Sequence, residues 1–97
     1  MRIIARRTLR EFWEQHPDAE QALKAWYHDA KEATSTSPSD VKNTYATASI
    51  LPNNRVVFNI RGNQYRLVVA VNYPHSTVYI RFVGTHREYD KIDATSI

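Results

Sequence analysis

Apolar positions along this 97-residue chain change period once, near its middle. Before that point they recur at helical spacing. In "RRTLREFWEQH", Leu9, Phe12 and Trp13 stand three and four apart, which predicts a short amphipathic helix after a brief strand at Ile3 and Ile4. "HPDAEQALKAWYHDAKEA" then places Ala19, Ala22, Leu23, Trp26, Tyr27 and Ala30 on one stripe, with Pro17 suited to a first helical position and Asp18 and Glu20 near the positive helix end. A second helix is expected there. "TSTSPSD" is too polar and turn-rich to continue it and reads as a loop within the domain, with one helical turn at "SDVKN" after Pro38.

From residue 55 the pattern alternates. "RVVFNI", "QYRLVVAVNY" and "TVYIRFVG" are rich in β-branched and aromatic residues and are separated by turn residues, so antiparallel strands follow the helices. A turn centred on Gly62 and Asn63 sets Ile60 opposite Tyr65, Phe58 opposite Leu67 and Val56 opposite Val69, each apolar on apolar. Pro74 cannot supply the positive φ of a two-residue hairpin turn but fits the second position of a type I turn from Tyr73 to Ser76. A four-residue loop at 74–77 would then pair Tyr73 with Val78, Val71 with Ile80 and Val69 with Phe82. On the opposite face Asn59 falls beside Arg66, Ala70 beside Arg81, and Arg66 across from Thr85. The expected class is α+β: two N-terminal helices packed on a small twisted antiparallel sheet, with a short helical turn at the C-terminal end.

Composition narrows the picture. The length and a hydrophobic content of 42% suit a single domain over residues 1–97. Without cysteine, neither disulfides nor thiolate zinc sites hold the fold, which fits a reducing cytosol. The N-terminal stretch lacks the apolar core of a signal peptide, and no run approaches a membrane span. The expectation is a soluble cytoplasmic protein.

Charge is uneven. Acidic and basic residues balance over positions 1–48, whereas positions 49–97 set Arg55, Arg61, Arg66, Arg81, Arg87 and Lys91 against Glu88, Asp90 and Asp93. Positions 49–87 contain five of those arginines and no carboxylate, which points to an anionic partner, since guanidinium matches phosphate bidentately. In "THREYDK", a helical turn capped by Thr85 would put His86 and Tyr89 at i and i+3, at the sheet end where Arg66 lies. A metal bound by His86 and Asp90 would have only two ligands in a cationic setting. Ser35, Ser37, Ser39 and Ser76 lack a nucleophile elbow, and two glycines cannot write a phosphate loop.

The remaining chemistry suits RNA. Cleavage by an internal 2′-hydroxyl needs a base, an acid and cationic donors, which His, Tyr and Arg supply without a metal or other cofactor. Histidine titrates near neutrality, so His86 is the acid or base; Tyr89 transfers a proton or stacks on a base; Arg66 holds the scissile phosphate. Arg61, Arg81, Arg87 and Lys91 are candidates for flanking phosphates, with Lys42 in "DVKN" a further candidate. His16, His28 and His75 read as helix-junction, helix-surface and turn residues.

"NNRVVFNIRGNQYRLVVAVNY" followed by "VYIRFVGTHREYDKI" resembles the HigB family of type II toxin–antitoxin modules, within the RelE/ParE superfamily. The likeness runs from "IIARRTLREFW" through "SDVKNTYATASIL" to "EYDKI", and its most specific blocks are "FNI-x-GN-x-YRL" and "THxEYDKI". It implies a RelE-like fold, ribosome-dependent cleavage of messenger RNA, growth arrest, and neutralisation by a HigA-type helix-turn-helix antitoxin, through which alone operator DNA would be reached. Family functional positions fall on Arg66, His86 and Tyr89; Lys42 and Asn63 lie in family-like blocks. Where a glycine pair is expected before the turn asparagine, this chain has Arg61 and Gly62. Two other readings compete: a non-catalytic RNA- or ribosome-binding module, and a protein-interaction domain.

Overall fold

The computed structural model describes residues 1–34 and 37–97. β1 (Arg2–Ile4) leads into α1 (Arg6–Gln15), a 3-10 turn at Pro17–Ala19, α2 (Glu20–Glu32) and α3 (Pro38–Thr44). β2 (Ser49–Leu51), β3 (Arg55–Ile60), β4 (Tyr65–Asn72), β5 (Thr77–Thr85) and α4 (His86–Tyr89) follow. The five strands form one sheet in the order β1-β5-β4-β3-β2. The chain is thus α+β, with α1, α2 and α3 ahead of the strands β2–β5 and the short α4 after them.

The sheet is mixed, which corrects the antiparallel expectation. β1 runs parallel to β5, with Ile3 opposite Val78 and packed against the main core. β2 was not foreseen: with only three residues, Ser49 and Ile50 exposed, it carries no legible alternation. Pro17 opens the 3-10 turn rather than α2 itself. Within the loop read at "TSTSPSD", Ser35 and Thr36 lie outside the described residues, Ser37 caps α3 by accepting from the Asp40 N–H, and Pro38 to Asp40 are already helical.

The first hairpin has the expected register, Ile60 with Tyr65, Phe58 with Leu67 and Val56 with Val69. Its turn is closed by the Gln64 N–H on the Arg61 carbonyl, with positive φ at Arg61 and Gly62. The second hairpin differs. Ser76 donates to the Tyr73 carbonyl, as a turn from Tyr73 requires, but Ser76 is left-handed (φ 48°), so the loop is 73–76 and the strands meet at Asn72 and Thr77. Val71 therefore pairs with Val78, Ala70 with Tyr79 and Val69 with Ile80. A bulge then leaves Arg81 without a partner, and the ladder resumes as Val68–Phe82, Leu67–Val83, Arg66–Gly84 and Tyr65–Thr85. Arg66 thus faces Gly84, not Thr85, and Phe82 faces Val68, not Val69.

The extra residue changes which face β5 side chains occupy, because strand side chains alternate. Val78 and Ile80 join the main core, where Leu9, Trp13, Leu23 and Trp26 from the helices meet Phe58, Leu67 and Val69. Phe82 instead joins Val57 and Val68 on the second face, where Tyr89, Ile92, Ala94 and Ile97 cover them. Arg55 fastens this tail: its Nε and Nη2 donate to the Ile97 carbonyl at 3.0 and 2.5 Å, while Asn53 donates to the Thr95 carbonyl at 3.0 Å.

Arg55→Ala is expected to lower the unfolding free energy by about 1.5–3 kcal/mol, the range for hydrogen bonds to a charged group. Urea melting reads the loss. Amide exchange should quicken at Ile92 and Ser96, whose N–H groups bond within the tail, before it does at Val68.

Candidate functional site

The site is assembled at the end of the second face where β4 begins and β5 ends. α4 starts there because Thr85 is extended and its Oγ1 accepts from the Glu88 N–H at 3.1 Å, while Glu88 reaches back to the Thr85 N–H at 2.8 Å. This reciprocal capping satisfies two donors and fixes a four-residue helix that its own length would not stabilise. Gly84 makes the turn-in possible. A Cβ there would stand 2.5 Å from Phe82 Cζ and 3.1 Å from Glu88 Oε1, so the Phe82 ring lies where any side chain would be.

On this scaffold Arg66, His86 and Tyr89 come to the same sheet end. The Arg66 guanidinium lies 5.9 Å from the Tyr89 ring centre, and its Nη1 donates to the Asn63 carbonyl at 3.4 Å. Among the described residues no carboxylate bridges Arg66. It therefore presents a planar donor set held by an aromatic face and a turn carbonyl. His86 is exposed on the first position of α4, with Nδ1 3.4 Å from Asp90 Oδ2. Asp90 thus faces the histidine and orients its ring. Tyr89 is half-buried against the second cluster.

The other candidates separate. Arg61 Nη1 pairs with Asp18 Oδ2 at 3.1 Å and also contacts Gln64. Lys42 donates to the carbonyls of Ala46 and Ala48 at 2.7 and 2.6 Å, tying α3 to the approach of β2, on the far side of β3 from Arg66. Arg87 and Lys91 are exposed on and just beyond α4, Asn63 is in the exposed hairpin turn, and Arg81 sits at the bulge. Within the arginine-rich half, Arg55 and Arg61 are therefore engaged by the protein itself.

Sequence reasoning missed Asp18 and His16. Asp18 Oδ1 accepts from the Tyr65 hydroxyl at 2.6 Å, which together with burial raises the Tyr65 pKa, and Asp18 thereby joins the helical layer to the β3–β4 hairpin that carries Arg66. Its partners are 43 and 47 residues away, so no local spacing could reveal them. His16, read as a junction residue, stacks on Phe12 at 4.4 Å, meets Tyr65 edge-on at 5.5 Å and lies within electrostatic reach of Glu88.

A small α+β domain that presents arginine, tyrosine and histidine side chains at one sheet end is suited to a phosphate-bearing ligand. The family model for HigB toxins, the RelE-like toxic component of a toxin–antitoxin system, matches residues 19–92, and the chain belongs to that family. Among its relatives, the mRNA interferase toxin HigB of Escherichia coli K12 is 28% identical over 92 residues, covering 93% of this chain and 88% of its own length. The mRNA interferase HigB of E. coli O6:H1 is 23% identical over 94 residues, covering 95% and 91%.

Two outcomes test the scaffold. Gly84→Ala should cost about 1–3 kcal/mol through overpacking against Phe82, and adding Phe82→Leu should recover part of it, as a double-mutant cycle in urea would show. The Glu88 carboxyl is held below its ordinary value of 4.5, chiefly by the Thr85 N–H and next by the Thr85 side chain, with His16 and Lys91 adding to the effect. Because the folded value is depressed, this stabilisation is complete above 4.5 and disappears as pH falls through the folded value. The stability gap between the parent and Glu88→Gln should therefore close in acid, in unfolding curves recorded from neutral pH downward.

Proposed function

We propose that this chain is a RelE-like endoribonuclease that cuts messenger RNA as it is translated on the ribosome, in the cytoplasm, and that a HigA-type helix-turn-helix antitoxin neutralises it. The observation that carries the reading is Arg66, free of any carboxylate among the described residues, resting on Tyr89 at the sheet end where α4 presents His86. The names of the HigB relatives support the substrate class.

The chemistry needs no atom from outside the RNA and these side chains. A base removes the proton of a 2′-hydroxyl, the oxygen attacks the adjacent phosphorus, and a new P–O2′ bond forms as the P–O5′ bond breaks. An acid returns a proton to the departing 5′-oxygen, leaving a 2′,3′-cyclic phosphate. His86, oriented by Asp90, serves as one proton-transfer group and Tyr89 as the other, while Arg66 donates to the oxygens on which charge develops. Water could later open the cyclic ester, but strand cleavage is already complete.

Mapping 5′ ends of a translated message after adding purified protein tests this, with ribosome-free RNA in parallel. His86→Ala and Arg66→Ala should each reduce cutting by roughly 10²–10⁴-fold, the range for loss of a proton-transfer or charge-stabilising group, without lowering the melting temperature. Undiminished cutting by both variants would overturn the assignment. RNA bound intact by a folded parent would support a binding module instead.

A further inference from the structure

The pairing of Arg66 on Tyr89 has a counterpart farther along the same face. The Arg81 guanidinium lies 5.3 Å from the Tyr79 ring centre. Tyr79 is opposite Ala70, and Arg66 opposite Gly84, so both arginines belong to the face away from α1 and α2. Between them lies the apolar patch under the C-terminal tail, where Phe82 meets Val68.

Arg81 is the residue that the β5 bulge leaves outside the ladder. β1 pairs with β5 only over Thr77–Tyr79, so at Arg81 the single ladder is the one with β4, and the bulge interrupts it. Its effect here is to aim an exposed guanidinium along the second face. There it borders an open cleft of about 360 Å³ lined also by Asn54, Ala70, Asn72, Pro74 and Tyr79. No carboxylate contributes to the lining, and the Arg55 guanidinium forms part of the wall with its donors turned to the Ile97 and Asn53 carbonyls. The Asn54 side chain has no partner within the protein among the described residues, while Asn72 uses only its carbonyl oxygen, accepting from the His75 N–H. Cation, aromatic ring and free amides are the groups that hold one unpaired nucleotide: a phosphate contact, a stacking surface and base-edge hydrogen bonds.

We infer that this cleft is a second RNA subsite, taking a single-stranded nucleotide that flanks the one whose phosphate lies at Arg66. The inference rests on the RNA reading of the Arg66 end. Gly84 and Arg81 are three residues apart on β5, so the two ends are separated by roughly 10 Å at strand rise. Single-stranded RNA crossing the covered patch between them spans that distance without folding back. Arg81 holds a flanking phosphate, Tyr79 and Pro74 offer surfaces to the base, and Asn54 and Asn72 face its polar edge.

Fluorescence anisotropy with 2′-O-methyl oligoribonucleotides of three and nine nucleotides tests the subsite, since blocking the 2′-oxygen prevents cleavage during the measurement. The parent should bind the longer RNA more tightly. Arg81→Ala should bring the longer RNA down to the affinity of the shorter, a loss on the order of tenfold, and reduce the salt slope for the longer one by about 0.7, the value for one single-strand phosphate. Asn54→Asp, which adds a carboxylate at an exposed turn, should weaken the longer RNA as well.

Parent-like binding of the longer RNA by both variants would overturn the subsite, as would a parent that binds both lengths equally. A parent that binds neither length yet cuts messages on ribosomes in a His86-dependent way would end the subsite proposal and leave the nuclease reading standing. Length-dependent binding lost in Arg81→Ala, from a parent that never cuts, would keep the subsite and remove the nuclease.

Discussion

Arg81 has no partner on β4, and the rest of the architecture is arranged around that extra residue in β5. Before it, Val78 and Ile80 point into the main core; after it, Phe82 points to the other face, so both sides of the sheet acquire an apolar surface to cover. α1 and α2 cover one side. The residues after α4 cover the other, and that requirement carries the chain across the sheet with Tyr89 beneath Arg66. The same shift sets Gly84 opposite Arg66, which leaves room for the Phe82 ring and lets Thr85 and Glu88 close their reciprocal cap.

Positive charge in the strand half of the chain is sorted by what each guanidinium touches. Arg55 works as a clamp on the tail, and Arg61 answers Asp18 in an ion pair whose side chains are 47% and 44% exposed, too open to water to add much stability. The Tyr65–Asp18 hydrogen bond beneath it is the firmer link between the helical layer and the β3–β4 hairpin. Arg66 and Arg81 rest on tyrosine rings instead of carboxylates. A guanidinium on an aromatic face keeps its full charge and its in-plane donors, so both can donate to phosphate oxygens.

Much of this was legible because it is local. The apolar stripes of α1 and α2 need only a helical period, and the β3–β4 register follows from setting Ile60, Phe58 and Val56 against Tyr65, Leu67 and Val69. Thr85 as a cap is likewise a matter of adjacent residues. Arg66 still lies at the end of β5 near Tyr89 because the true pairing moves it by only one residue, from Thr85 to Gly84. In the second hairpin, turn and ladder are not independent. A proline at the second turn position is compatible with either loop, and the choice rested on Ser76 taking a left-handed φ that no residue type there announces.

The sequence by itself determined α1, α2, the three long strands, the first hairpin and the cap of α4, since each rests on contacts between residues close along the chain. Tertiary structure decided the bulge, the parallel placement of β1, the covering of the second face and the Asp18 bridge. Each of these balances burial on two faces, or joins groups as much as 47 residues apart, and has its energy only once the whole sheet is assembled.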